Sequence, residues 1–213
     1  HGTLGEDGTV QGLLELADLP YVGSGVLGSA VGMDKVAMKA ILEANGLPVV
    51  EYVAVARKTW RREPEATMDR VEARFTYPVF VKPANMGSSV GISKAHDRTE
   101  LAASLKLAAR FDRRLLVERA VNARELECSV LGNDEPVASV VGEVVPCNEF
   151  YDYKAKYING DSALYIPADL PAEVARQVQD LAVRAFVALD CAGMARADVA
   201  LDRRATGNGL DAS

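Results

Sequence analysis

The sequence predicts an α+β protein folded as two lobes. Apolar runs of strand length are interspersed with amphipathic helical stretches. Two of those runs, 79–82 and 90–94, are separated by a Gly-Ser loop and pair naturally across it. Short polar residues then follow a strand at 121–124, which places a seam between the lobes there.

In chain order, His1-Gly2-Thr3-Leu4-Gly5-Glu6-Asp7-Gly8 reads as a polar, Gly-rich loop with no element before it, so further sequence is expected upstream. Residues 10–18 read as a short helix with Leu13, Leu14 and Ala17 on one face, and 20–25 as a loop or short strand. A helix is predicted over 33–45, with Met33, Val36, Ala37, Ala40 and Ile41 as its apolar face and Gly46 as a left-handed C-terminal cap. A strand over 49–55 and an amphipathic helix over 64–75 follow. After the hairpin, Asp97 opens a helix to about residue 111, and Glu100 completes a capping-box pattern. Strands are expected over 115–118, 125–131, 136–145 and 196–201. Residues 147–162 read as a polar, aromatic loop, and 171–189 as the longest helix, with Pro171 in its first turn.

At 213 residues, 49% hydrophobic and 25% charged, the composition is that of a globular protein with room for one large core or two small ones. The net charge of −6 is spread in mixed sign, without the clustered Lys and Arg of a nucleic-acid surface. No apolar run approaches the roughly 18 residues of a membrane span, and no leader pattern opens the chain, so the expected location is the cytoplasm. Cys128, Cys147 and Cys191 are widely spaced and odd in number, which reads as reduced thiols rather than a disulfide frame or a metal knot.

Five features carry chemistry. Lys82 ends a strand, and Gly87, Ser88, Ser89 and Gly91 follow. Glycines admit backbone N–H groups to phosphate oxygens, serines add hydroxyl donors, and the lysine adds a point charge. No G-K-[ST] opens a helix, so this is no Walker A loop; it has the logic of a glycine-rich flap. Alone, it is equally an ordinary flexible turn. The apolar strand at 115–118 ends in Glu118 and Arg119, an edge able to read an adenine, with Glu125 placed for a ribose hydroxyl. A strand with solvated ends reads the same way. The stretch 147–162 carries Phe150, Tyr151, Tyr153, Lys156 and Tyr157, the make-up of a lid or binding loop, or of a well-packed surface loop. Arg196 and Asp198 fall on one face of the last strand, suiting either an oxyanion and a Mg²⁺ ion or a surface ion pair. Lys35 sits in a helix's first turn, against the helix dipole, which an anion there would explain; a solvated surface lysine would look the same.

Taken in order, Met33-Asp34-Lys35, Lys82-Pro83 with Ser88-Ser89-Val90-Gly91, Val117-Glu118-Arg119 with Glu125, Phe150-Tyr151-Asp152-Tyr153 with Ala155-Lys156-Tyr157, and Arg196-x-Asp198 resemble the D-alanine–D-alanine ligase family, as does the opening His1 to Gly8. The resemblance runs from residue 1 to about 202. It implies an ATP-grasp fold, with 1–28 as the tail of a Rossmann-like N-terminal domain, 29–121 as the central lobe and 122–213 as the C-terminal lobe. It further implies that Lys35, Lys82, Glu118, Arg119, Val121, Glu125 and Lys156 bind ATP and that Ser88, on the phosphate flap, helps bind phosphate and substrate, with Arg196, Ser88 and Tyr157 as the catalytic residues. His1 and Glu6 would bind the first D-alanine, Tyr157 would come from the mobile loop, Arg196 would stabilise the transition state, and Asp198 would ligate Mg²⁺ or Mn²⁺. The implied partner is D-alanine, and the implied assembly a homodimer. Residues 150–157 lack the histidine of relatives that make D-alanyl–D-lactate, so dipeptide formation is expected.

The chain departs from the family pattern after Leu201: no Glu-x-Asn, which completes the metal sites, occurs in residues 202–213. Asp198 alone is a poor Mg²⁺ site. The 213-residue chain is therefore expected to have little ligase activity, or to be a nucleotide-binding remnant.

Overall fold

The computed structural model describes residues 2–145, 163–203 and 210–212. The chain builds two antiparallel sheets, each backed by helices. The elements are α1 (Thr9–Leu16), α2 (Val26–Met33), α3 (Lys35–Ala44), β1 (Tyr52–Ala56), α4 (Arg57–Arg62), α5 (Pro64–Glu72), β2 (Val79–Pro83), β3 (Ser93–Ala95), α6 (Arg98–Phe111) and β4 (Arg114–Arg119). β5 (Ala123–Gly132), β6 (Val137–Ala138), β7 (Gly142–Val145), β8 (Ala163–Tyr165), α7 (Ala172–Ala188), β9 (Gly193–Asp202) and β10 (Leu210–Ala212) follow.

The first sheet has the order β1-β4-β2-β3. Strand alternation sorts its residues. Val55, Val79, Val81, Leu115, Val117 and Ala95 form one core with Met68 and Val71 of α5 and Leu101, Leu105 and Ala108 of α6. The register pairs Phe80 with Glu118, Lys82 with Leu116 and Tyr52 with Glu118, so these residues share the opposite face. The second sheet runs β10-β9-β5-β7-β8, with β6 on β5. Leu126, Cys128, Val130 and Val199 pack on Val178, Leu181, Ala182, Ala185 and Phe186 of α7. Leu42 and Leu47, at the end of α3, complete this second core.

Local chemistry explains three helix boundaries. Gly46 has φ +69°, its N–H reaches the Glu43 carbonyl at 3.0 Å, and the Leu47 N–H reaches Leu42 at 2.9 Å. This is a Schellman cap with its apolar contact buried. The Asp97 carboxylate accepts from the Glu100 N–H at 2.9 Å, as a capping box requires, but Glu100 reaches back to the His96 N–H at 2.8 Å, one residue beyond the cap. α7 starts directly after Pro171.

Several expectations are corrected. The helix expected over 33–45 starts at Lys35, because Asp34 is extended and caps it, accepting from the Val36 and Ala37 N–H groups. Its buried stripe runs through Lys39 and Leu42; Ala40 is exposed. The sequence pattern does not predict α2 or α4. α2 is Gly-rich, and a Cβ on Gly28 would lie 2.4 Å from the Asp190 carbonyl oxygen, so close packing rather than propensity holds it. The strand expected over 136–145 is two short strands, β6 and β7. No helix among the described residues is long and apolar enough to cross a membrane.

Candidate functional site

The polar face of the first sheet gathers positive charge around one buried carboxylate. Glu118, 3% exposed, is flanked by two lysines. Lys82, across the sheet on β2, pairs with Oε2, and Lys39, from α3, lies 2.9 Å from Oε1. Burial opposes the Glu118 charge, yet Lys82 and Lys39 hold its carboxyl below the usual range. Lys39 also donates to the Val50 carbonyl at 3.2 Å and sits 5.6 Å over the Tyr52 ring.

Lys35 lies one helical turn before Lys39. Its ammonium donates to the Met86 carbonyl at 2.6 Å. Burial, then the nearby Lys82 charge, pushes it down to about 8, while Glu118, Asp34 and Asp112 oppose that fall. Asp34 is itself buried, binding Arg114 with the oxygen not used as a cap. The root of the β2–β3 loop is pinned as well: the Lys35 N–H donates to the Ala84 carbonyl at 2.9 Å, and the Asn85 N–H to Asp112 at 2.7 Å.

The loop beyond Asn85 turns tightly. Ser88 and Ser89 have φ of +52° and +59° and Gly91 of +73°; the Val90 N–H reaches the Gly87 carbonyl, and the Ile92 N–H the Ser89 carbonyl. Left-handed backbone at two serines is uncommon for residues with a Cβ. Such strain clusters at ligand-holding sites. The N-terminal loop touches this one: Thr3 Oγ1 lies 3.8 Å from Met86 Sδ, and Glu6 accepts from the Gly2 N–H.

A second group lies on the face of the second sheet away from α7. Arg196 is bidentate to Asp198, at 2.8 and 3.1 Å, and 3.1 Å from Glu127 on β5. Glu125 lies on the same face of β5, opposite Ala200 of β9. Arg119 ends β4, its N–H on the Glu51 carbonyl, and Val121 follows in the connection to β5.

Lys35, Lys82 and Glu118 are thus brought together with the Ser88 loop, whereas Arg196, Asp198 and Glu125 occupy the second sheet. His1, Lys156 and Tyr157 lie outside the described residues. Sequence reasoning missed Lys39, Asp34 and Glu127. Lys39 was legible only as a lysine four residues after Lys35, on the face that also carries Leu42.

Residues 41–208 match the family model for the D-ala D-ala ligase C-terminus. The chain belongs to the D-alanine–D-alanine ligase family. It is 59% identical over 198 residues to the D-alanine–D-alanine ligase of Acetivibrio thermocellus, covering 93% of this chain and 53% of that protein. The ligase of Chloroherpeton thalassium is 56% identical over 203 residues, covering 95% and 56%. The chain therefore spans about half the length of the curated relatives it matches. Among solved structures, the VanG D-Ala:D-Ser ligase of Enterococcus faecalis superimposes with a TM-score of 0.86 at 39% identity, over 95% of this chain and 58% of that one. The D-alanine–D-alanine ligase of Coxiella burnetii gives 0.83 at 38%, over 100% and 55%. The family's ATP-grasp fold is the architecture seen here.

Proposed function

We propose that this chain supplies the nucleotide-clasping part of an ATP-dependent D-alanine–D-alanine ligase. The carrying observation is the Lys35–Lys82–Glu118 cluster beneath the left-handed Ser88-Ser89 turn. Two neighbouring ammonium groups, one depressed by burial and then by the other, fit a polyphosphate, which would relieve their repulsion. Lys35 and Lys82 would hold phosphates, and the Ser88 loop would cover them with N–H and hydroxyl donors. The β4 edge at Glu118, Arg119 and Val121 would read the base, and Glu125 the ribose. ATP, when bound, supplies the phosphoryl group that activates one D-alanine carboxylate for attack by the amine of a second. Arg196 would face the oxyanion of that addition, with His1 and Glu6 at the first D-alanine and Lys156 and Tyr157 excluding water.

The described residues do not fit Mg²⁺ or Mn²⁺. No three His, Cys, Asp or Glu side chains among them converge on a metal site, and Asp198 is engaged by Arg196. That engagement favours a second reading, nucleotide binding without ligation. The domain division at 28 and 121, cytoplasmic location and a homodimer complete the proposal. The test is binding of a non-hydrolysable ATP analogue to the full chain by calorimetry. Lys82→Met is expected to weaken it more than about tenfold, roughly 1.4 kcal/mol; equal affinity would contradict the assignment. D-alanine-dependent phosphate release then separates ligation from binding alone.

A further inference from the structure

A buried lysine is expensive where an apolar side chain would fit. Lys39 is 1% exposed, on the stripe of α3 that carries Leu42. Its ammonium nevertheless lies 2.9 Å from Glu118 Oε1, with the Val50 carbonyl and the Tyr52 ring as further partners. It cannot touch a ligand in this position. The other Glu118 oxygen meets Lys82, whose side chain is 20% exposed. The order from core to surface is therefore Lys39, Glu118, Lys82.

We infer that Lys39 is a positioning residue: it neutralises Glu118 from behind, so that Lys82 keeps its charge available to an anionic ligand. Without Lys39, the Glu118 carboxylate, already paired with Lys82, sets its whole charge against that one ammonium and cancels it. A buried charge left with half its partners seeks the remaining one. The same carboxylate thus orients Lys82 when Lys39 is present and sequesters it when Lys39 is absent. Lys35, which senses both Lys82 and Glu118, responds to the change. The inference rests on the nucleotide-site reading for its ligand, but its first half concerns the cluster alone.

The test uses the full chain and two readouts. The first is the ¹³C carboxyl titration of Glu118 in the wild type and in Lys39→Met. The variant is expected to titrate at higher pH, because burial stays and one cation goes. The second is tripolyphosphate binding by the wild type, Lys39→Met and Lys39→Met/Glu118→Gln. Lys39→Met is expected to bind about tenfold more weakly, and the double variant to recover to within about threefold. Removing the carboxylate frees Lys82 again, a rescue that a purely structural lysine would not produce. An unmoved Glu118 titration overturns the inference whatever the chain binds, as does a double variant no better than Lys39→Met, or a Lys39→Met that binds like the wild type. If the wild type binds neither tripolyphosphate nor nucleotide while the titration shifts, control of Glu118 by Lys39 stands and the nucleotide-site reading falls. If Lys39→Met does not fold, a double variant that folds and binds tripolyphosphate supports the inference; one that folds and fails to bind it overturns it.

Discussion

Lys35 has a protonation set by burial and by the charges around it. Its amine titrates near 8 because of burial and Lys82. Between about 8 and the ordinary lysine value the unfolded chain holds more protons, so this group's penalty on folding is full below about 8 and fades as pH rises. Anion binding runs the other way. Polyphosphate affinity should fall as pH rises from 7.5 to 9.5 (roughly the window around the depressed value), and Lys35→Arg should flatten that part of the profile by staying charged. A wild-type profile as flat as that of Lys35→Arg would remove Lys35 from the site. Asp34 gives a stability prediction at the same scale. It caps α3 with one oxygen and binds Arg114 with the other. Asp34→Ala should cost about 1–2 kcal/mol, read as a shifted urea midpoint with unchanged slope.

The elements that proved legible are those whose boundaries are set locally. The Gly46 cap, the Asp97 start of α6, the Pro171 start of α7 and the 79–82 strand each follow from residues within a few positions. α2 and the α3 stripe were not legible, because tertiary contacts decide them: Gly28 packs on a distant turn, and Lys39 faces a carboxylate on β4. The same division holds at the site. The Gly-Ser loop could be read from composition, but the partners of Lys82 could not, since strand register and α3 bring them together. The loop carries its own prediction. A Cβ on Gly91 would sit 2.6 Å from the Phe111 ring and 2.9 Å from Pro83 Cγ, at positive φ. Gly91→Ala should therefore destabilise by about 1–3 kcal/mol and weaken nucleotide binding. Unchanged stability would show that the loop accommodates a side chain there.

For the molecule as a whole, α3 and the segment before it join the two sheets. Leu42 and Leu47 belong to the core under the second sheet, while Lys39, on the same helix, pairs with the first. α2 rests on the turn after α7 through Gly28, and the Ala192 N–H donates to Ser24 Oγ at 3.2 Å. Gly28→Val should lower stability by about 1–3 kcal/mol. Gly32→Ala, on the same helix with open space around it, should raise stability by about 0.5–1 kcal/mol. Equal effects of the two substitutions would mean that α2 is not held by this packing.

In the proposed function a nucleotide lies against the Lys35–Lys82–Glu118 face, under the Ser88 loop. Hydrogen–deuterium exchange of the full chain, with and without a non-hydrolysable ATP analogue, is the deciding measurement. Bound nucleotide is expected to slow exchange from β2 through the loop to β3 and along β4, with α7 unchanged. Binding that leaves those segments unprotected, or that protects only α7, would contradict it.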